Sequence, residues 1–144
     1  MIPVQNCKEY VVFDPISVTS AATATGYVDT LGYDYCTFRL MANTATASTA
    51  WIACKVSESA DATNTTNVAT LLGGTAFDLP ACATATVQKP IAILNVDCRG
   101  RERYLHLHAT PFTTSILASS ATLYRAKQAP VGATLQNAYT VVNA

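Results

Sequence analysis

The sequence is short of charge and of long apolar runs. Charged residues make up 12% of its 144 residues, with nine Lys and Arg balancing nine Asp and Glu, whereas an average protein carries about 25%. Nothing in this balance suggests the basic patch or stripe that nucleic-acid binding requires, so we expect no nucleic-acid partner. No apolar stretch approaches the roughly 20 residues that span a membrane, and we expect no membrane partner.

Two further patterns are missing. The first ten residues, MIPVQNCKEY, show no basic region followed by an apolar one, so we expect no secretory signal and synthesis in the cytoplasm. No C-x-x-C pair occurs, and an odd number of cysteines favours neither a disulfide framework nor a zinc site. We therefore expect reduced thiols and no cofactor. The five cysteines are Cys7, Cys36, Cys54, Cys82 and Cys98.

What the sequence does have is apolar residues, at 50% of the chain, together with many Thr, Ser and Ala. This length fits one domain with one core. A surface with so little charge favours association, so we expect neighbouring subunits to cover much of it and the chain to form a homo-oligomer. A neutral monomer is the alternative.

Alternating apolar and polar residues predict strands. In the clearest of them, 33–40, Cys36, Phe38 and Leu40 face inward. Segments 91–97 and 103–109 are joined by a short polar turn, which predicts an antiparallel hairpin because a parallel crossover needs a longer connection. Further strands are predicted at 51–57 and 114–125, with weaker ones at 11–13, 16–20, 27–29 and 76–79. A short helical turn is predicted at 68–72, before two glycines.

These elements predict an all-β, single-domain antiparallel β-sandwich of the jelly-roll type over residues 10–127. Extended arms are predicted at 1–9 and 128–144, where core patterning is weak. The β-prone segment 139–142 could complete its own sheet, add to the sheet of a neighbour, or fray as a terminus.

Patterns of catalytic chemistry are missing, and we expect no enzyme. The sequence has no G-x-S-x-G elbow, no phosphate loop and no evident acid–base pair. His106 and His108 share one face of a strand and could start a metal site, but no third ligand is apparent. An outward or interfacial face, with a pH-sensitive contact, is the preferred interpretation. The dense charged segment 97–103 indicates internal ion pairs, or arginine forks that hold carboxylates of an adjacent subunit.

Three segments together carry a resemblance to a known group. They are GYVDTLGYDY at 26–35, KVSES at 55–59 and DCRGRERYL at 97–105. In this order they resemble small proteins encoded near the major capsid genes of tailed bacteriophages. The resemblance implies a capsid decoration, or cement, protein with a jelly-roll-like fold. Such a protein would bind the major capsid protein on the outer surface of the virion, often as a trimer, and stabilise contacts between capsid subunits.

Aromatic and arginine side chains suit such contacts because they bury much area at a small entropic cost, although an aromatic residue in a sandwich is also typical of the core. The candidate contact residues are Tyr33, Tyr35, Trp51, Arg99, Arg101, Arg103, Tyr104, His106, His108 and Tyr139. Two other functions stay open. One is a carbohydrate- or receptor-binding sandwich of a virion fibre or head appendage, which needs an exposed aromatic platform beside Asp or Asn. The other is a small cupin-like metal protein that uses the two histidines.

Overall fold

The structure, a computed structural model, describes residues 7–42, 53–63, 69–74, 92–125 and 141–143. These residues form strands and turns, and no helix occurs among them. The strands are β1 (Cys7–Val18), β2 (Ala24–Asp29), β3 (Tyr35–Ala42), β4 (Ala53–Ser59), β5 (Ala69–Gly74), β6 (Ala92–Asp97), β7 (Tyr104–Thr110), β8 (Ser115–Tyr124) and β9 (Val141–Asn143).

The strands form two sheets that pack face to face, so the all-β sandwich predicted from the sequence is confirmed. A five-stranded sheet has the order β1-β8-β3-β6-β9, and a four-stranded sheet has the order β2-β7-β4-β5. Neighbouring strands are antiparallel, with the exception of the parallel pair β6–β9. Apart from β4 and β5, and β8 and β9, consecutive strands therefore alternate between the two sheets, as crossing connections in a sandwich require.

The core lies between the sheets and follows the predicted alternation. In β3 the side chains of Cys36, Phe38 and Leu40 are completely buried. Leu105 and Leu107 of β7 face them from the four-stranded sheet and are equally buried. Burial of one such side chain contributes about 1.5–3 kcal/mol, so the inward rows of β3 and β7 supply much of the stability of the sandwich.

The predicted hairpin of 91–97 and 103–109 is wrong. β6 pairs with β3 in the five-stranded sheet, and β7 pairs with β2 and β4 in the other sheet. The connection 98–103 crosses from one sheet to the other and is fastened to the turn before β3 by a 2.8 Å bond from the Cys98 amide to the Asp34 carbonyl. A short connection limits the relative direction of two strands, but it does not make them partners.

Two smaller predictions also need correction. The segment 68–72, predicted as a helical turn, contributes residues 69–72 to strand β5, which pairs with β4. β1 runs unbroken over 7–18, with shifts of register around Phe13, so it joins the two predicted strands and begins inside the predicted N-terminal arm. Segment 76–79 lies outside the described residues. At the C-terminus β9 adds to its own sheet, along β6.

The two sheets approach closely along one side of the sandwich, where β1 lies beside β2. A Cβ atom on Gly26 of β2 would overlap the backbone carbonyl of Val12, and it would lie 2.7 Å from the Cγ1 of the same residue. Only glycine leaves room for this approach. Gly26 therefore allows the edge strands of the two sheets to meet, and this contact closes one side of the fold.

Candidate functional site

The three segments that carry the phage resemblance meet at one end of the sandwich, which we call the charged end. It consists of the connections 30–34 and 98–103 with the flanking strand ends. Arg103 donates two hydrogen bonds to the carboxylate of Asp29, at 2.9 and 2.6 Å, and the Glu102 amide donates to the Glu58 carboxylate at 3.1 Å. These bonds join the first segment to the third and the second segment to the third.

Ion pairs within the chain occupy two of the three candidate arginines. Arg99 binds Asp97 through Nε and Nη2 at 2.9 and 2.5 Å, and these bonds lower the pKa of Asp97 to about 2. The bonds from Arg103 likewise lower the pKa of Asp29. The Arg101 amide donates to the Cys98 carbonyl at 3.2 Å, but its exposed side chain forms no ion pair or hydrogen bond within the described part of the chain. Of the three, Arg101 is therefore the one available to a partner.

The candidate tyrosines have different environments. Tyr35 is buried on the outer face of the five-stranded sheet, where it stacks on Tyr124 with 6.0 Å between ring centroids and lies under the Arg99 guanidinium. Tyr33 is half-buried and packs against the core. Tyr104 is half-buried, with the Arg103 guanidinium 5.1 Å from its ring. These three tyrosines therefore already make internal contacts.

Sequence reasoning missed Tyr27 as a surface residue. Its ring is 49% exposed and packs edge-on against Tyr104, at 5.9 Å between centroids. The sequence signal was the apolar Val28 between Tyr27 and Asp29 in a predicted strand, because neighbours on a strand point to opposite faces and Val28 is the completely buried one. Tyr27, Tyr104 and the nearby Asp29 form an aromatic patch on the outer face of the four-stranded sheet.

His106 and His108 lie on that same outer face, opposite the core residues of β7, as the alternation predicted. The expectation that they face outward into a contact surface needs correction, because they are only 1% and 7% exposed. Their rings stack on each other at 6.3 Å, and His106 also packs against Tyr27 at 5.8 Å. We call these two residues the histidine pair.

Hydroxyl groups from both neighbouring strands hold His108. Ser57 Oγ of β4 lies 2.8 Å from its Nε2, and Thr25 Oγ1 of β2 lies 3.1 Å from its Nδ1. Burial, followed by the charge of Lys55, lowers the pKa of His108 to about 4. The ring is therefore neutral at neutral pH, when one of its nitrogens donates and the other accepts.

The Ser57–His108 distance matches that of a nucleophile and its base, but the surroundings do not match. Ser57 is completely buried, so no substrate carbon can reach its oxygen in this conformation. The second ring nitrogen meets the Thr25 hydroxyl rather than a carboxylate, and the low pKa of His108 makes the ring a weak base. This arrangement connects β4, β7 and β2, and it does not provide an activated serine.

The described residues contain no group of three or more His, Cys, Asp or Glu that could hold a metal ion. Three cysteines belong to the buried core, as predicted for Cys36 and Cys54; the third is Cys98. Burial raises the pKa of the Cys54 thiol to about 12. Such thiols are poor nucleophiles at neutral pH because the reactive form is the thiolate.

The opposite end of the sandwich, which we call the uncharged end, is represented among the described residues by the connections 19–23 and 111–114. Their sequences are TSAAT and PFTT, and they contain no charged residue. The Ala21 amide donates to the Pro111 carbonyl at 3.2 Å, and Ser20 Oγ donates to the Phe112 carbonyl at 2.6 Å. These two hydrogen bonds join the connections on either side of Phe112, which is 49% exposed. Ile16 and Met41, on neighbouring strand ends, are also exposed.

Trp51 and Tyr139, the remaining candidates, lie outside the described residues. Within the described ranges, no helix is long and apolar enough to cross a membrane. No protein-family model matches the chain, and no curated protein matches it at a significant level.

Proposed function

We propose that this chain is a structural protein of a virion, a capsid decoration protein that docks on the major capsid protein from outside the shell. The observation that carries the proposal is the separation of charge along the sandwich. Among the described residues, one end collects most of the arginines and acids, several of which pair with one another, whereas the connections 19–23 and 111–114 at the other end carry no charge and leave Phe112 exposed.

The uncharged end is the proposed docking surface. Exposed Phe112 lies among threonine, serine and alanine, whereas exposed Ile16 and Met41 each follow a charged residue, Asp14 and Arg39, by two positions. Contact centred on Phe112 would therefore bury apolar area without removing water from a charge. Removing a charge from water is costly unless a partner compensates it. A partner for this surface would be apolar and uncharged, and the interface would gain mainly from the hydrophobic effect.

The three segments that resemble phage proteins, at 26–35, 55–59 and 97–105, support the proposal because their contacts stabilise the fold and leave the other end available for docking. They come together at the charged end through the Asp29–Arg103 ion pair and the Glu58–Glu102 bond. Their side chains therefore satisfy one another, as expected of residues that maintain a fold. The charged end would then face solvent on the assembled shell.

The experiment mixes the purified protein with undecorated heads built from the major capsid protein of the same genome, and follows binding by co-sedimentation and electron microscopy. We expect the wild-type protein to bind and Phe112→Asp to bind at least tenfold more weakly, because it places a charge in the interface. The matched control is Leu31→Asp, at a residue that is 68% exposed at the charged end.

The two variants separate the possible outcomes. Wild-type protein that stays in the supernatant contradicts decoration. Binding that is lost with Leu31→Asp and kept with Phe112→Asp contradicts the assignment of the uncharged end. Circular dichroism of both variants establishes that the strands are intact.

One observation favours a second candidate, a glycan-binding sandwich of a virion. The aromatic patch of Tyr27 and Tyr104 lies beside Asp29, which is the combination that this function needs. Both carboxylate oxygens of Asp29 are already bound by Arg103, so a sugar hydroxyl would have to share them. Binding on a glycan array that Tyr27→Ala abolishes would support this candidate over decoration.

A further inference from the structure

We propose that the histidine pair makes the outer face of the four-stranded sheet acid-sensitive, so that protonation of the two rings weakens the attachment of β7 to β2 and β4. This acid sensitivity of the four-stranded sheet does not depend on the proposed docking function. Its basis is the geometry of two buried imidazoles stacked on each other in the middle of the sheet.

His106 provides the first argument, because it is a buried polar side chain without a partner. Its Nδ1 and Nε2 atoms are buried, and neither has a hydrogen-bond partner in the described structure. Such groups are rare in native proteins and call for an explanation. The site holds a neutral ring between Tyr27 and His108, and neither ring nitrogen has a well-formed hydrogen bond that would stabilise an added proton.

The neighbouring charges provide the second argument. On β4, Lys55 lies opposite His108 and Ser57 lies opposite His106. On β2, the facing residues are Thr25 and Tyr27, with Asp29 one row beyond, and Tyr104 is the next outward residue on β7 itself. Lys55 adds a positive charge beside the pair, while Asp61, in the turn after β4, favours protonation of His106 first through its backbone and then through its charge. Burial outweighs Asp61 and lowers the pKa of His106.

The sign of the effect follows from linkage. Both imidazoles titrate at lower pH in the folded chain than in the unfolded chain, where the pKa is about 6.5. The unfolded state therefore binds more protons as the pH falls below 6.5, and stability declines until the folded rings also titrate. For His108, with a folded pKa of about 4, lowering the pH from 7 to 5 raises the unfolding equilibrium constant about 20-fold, and His106 adds to this.

The pH window isolates the histidines from other groups. The chain has only two histidines, and between pH 7 and 5 few other groups titrate, since carboxylates have reference pKa values near 4 and thiols near 8.5. The test measures urea unfolding of the full chain at pH 7, 6 and 5. We expect the unfolding constant to rise at least 20-fold in the wild type and less than threefold in a His106→Phe, His108→Gln double variant.

The substitutions are matched to the two environments. Phenylalanine keeps an aromatic ring against Tyr27 without a polar atom, and glutamine keeps one donor and one acceptor for Ser57 and Thr25. A double variant that loses stability on acidification as steeply as the wild type would overturn the proposal. If the double variant does not fold, NMR titration of the wild-type imidazoles decides: native pKa values below 6.5 for both rings support the proposal, and a value at or above 6.5 for either ring contradicts it.

Discussion

At the scale of single residues, Gly26 has the most restricted space of the three glycines that the structure describes in detail. The carbonyl of Val12 occupies the space that a side chain on Gly26 would need. Gly100, in the connection between β6 and β7, is glycine for a different reason. Its φ is +75° and no atom lies within 4 Å of the position of a Cβ, so backbone conformation alone favours glycine there.

We predict that Gly26→Ala destabilises the protein by about 2–3 kcal/mol, because the new methyl group must push β1 away from β2. Gly100→Ala is the control and should cost only about 1 kcal/mol, the penalty of a left-handed backbone for alanine. Urea unfolding at neutral pH measures both values. Equal losses for the two variants would show that the contact between β1 and β2 contributes little.

At the scale of the strands, sequence patterns identified inward faces better than strand partners. The alternation around Phe38 and Leu40 predicted the buried side of β3, because one face of a half-buried strand must be apolar. The same rule placed His106 and His108 opposite the core, but it could not show that they are buried there. Burial on an outer face depends on neighbouring strands and loops, which local periodicity does not describe.

The helical turn at 68–72 and the β6–β7 hairpin were wrongly assigned for related reasons. The segment before Gly73 and Gly74 contains too few alternating residues to distinguish a strand from a helical turn, and its pairing with β4 decided the outcome. The β6–β7 hairpin was inferred from a short connection, yet in a sandwich a short connection can also cross between sheets. The charged end was foreseen in part, since segment 97–103 was expected to form its own ion pairs, whereas the involvement of Asp29 required the tertiary fold.

The strand pairing gives a prediction for NMR. Cross-strand Hα–Hα and amide contacts are expected between β6 and β3, for example at the aligned pair Val96 and Cys36, because antiparallel partners bring these protons close together. No such series is expected between β6 and β7. A ladder of contacts that joins 92–97 to 104–110 would restore the hairpin and contradict the described topology.

At the scale of the whole molecule, the two ends of the sandwich differ in the interactions that they can offer. Ion pairs such as Arg99–Asp97 are largely exposed, and exposed pairs contribute at most about 1 kcal/mol to stability. The charged end is therefore better suited to solubility than to strong binding. The uncharged end offers apolar contact, which salt does not screen.

Salt dependence distinguishes docking through one end from docking through the other. If the uncharged end docks, we predict that the affinity for capsid heads changes less than threefold between 50 and 500 mM NaCl, because no charged pair is screened. Sedimentation binding curves at the two salt concentrations measure this change. A decrease of tenfold or more would instead indicate that Arg101 and the charged end form the interface. Arg101→Ala should then reduce the salt dependence.

The pairing of β1 with β8 has a consequence for synthesis of the chain. Residues 7–18 lie against residues 115–124, and β3 also needs β8 as a neighbour. A ribosome that adds about 5–20 residues per second therefore releases the first strand several seconds before its partner exists. Completion of the larger sheet must await translation of residues 115–124, and folding is expected to be slow because its strand pairs are distant in sequence.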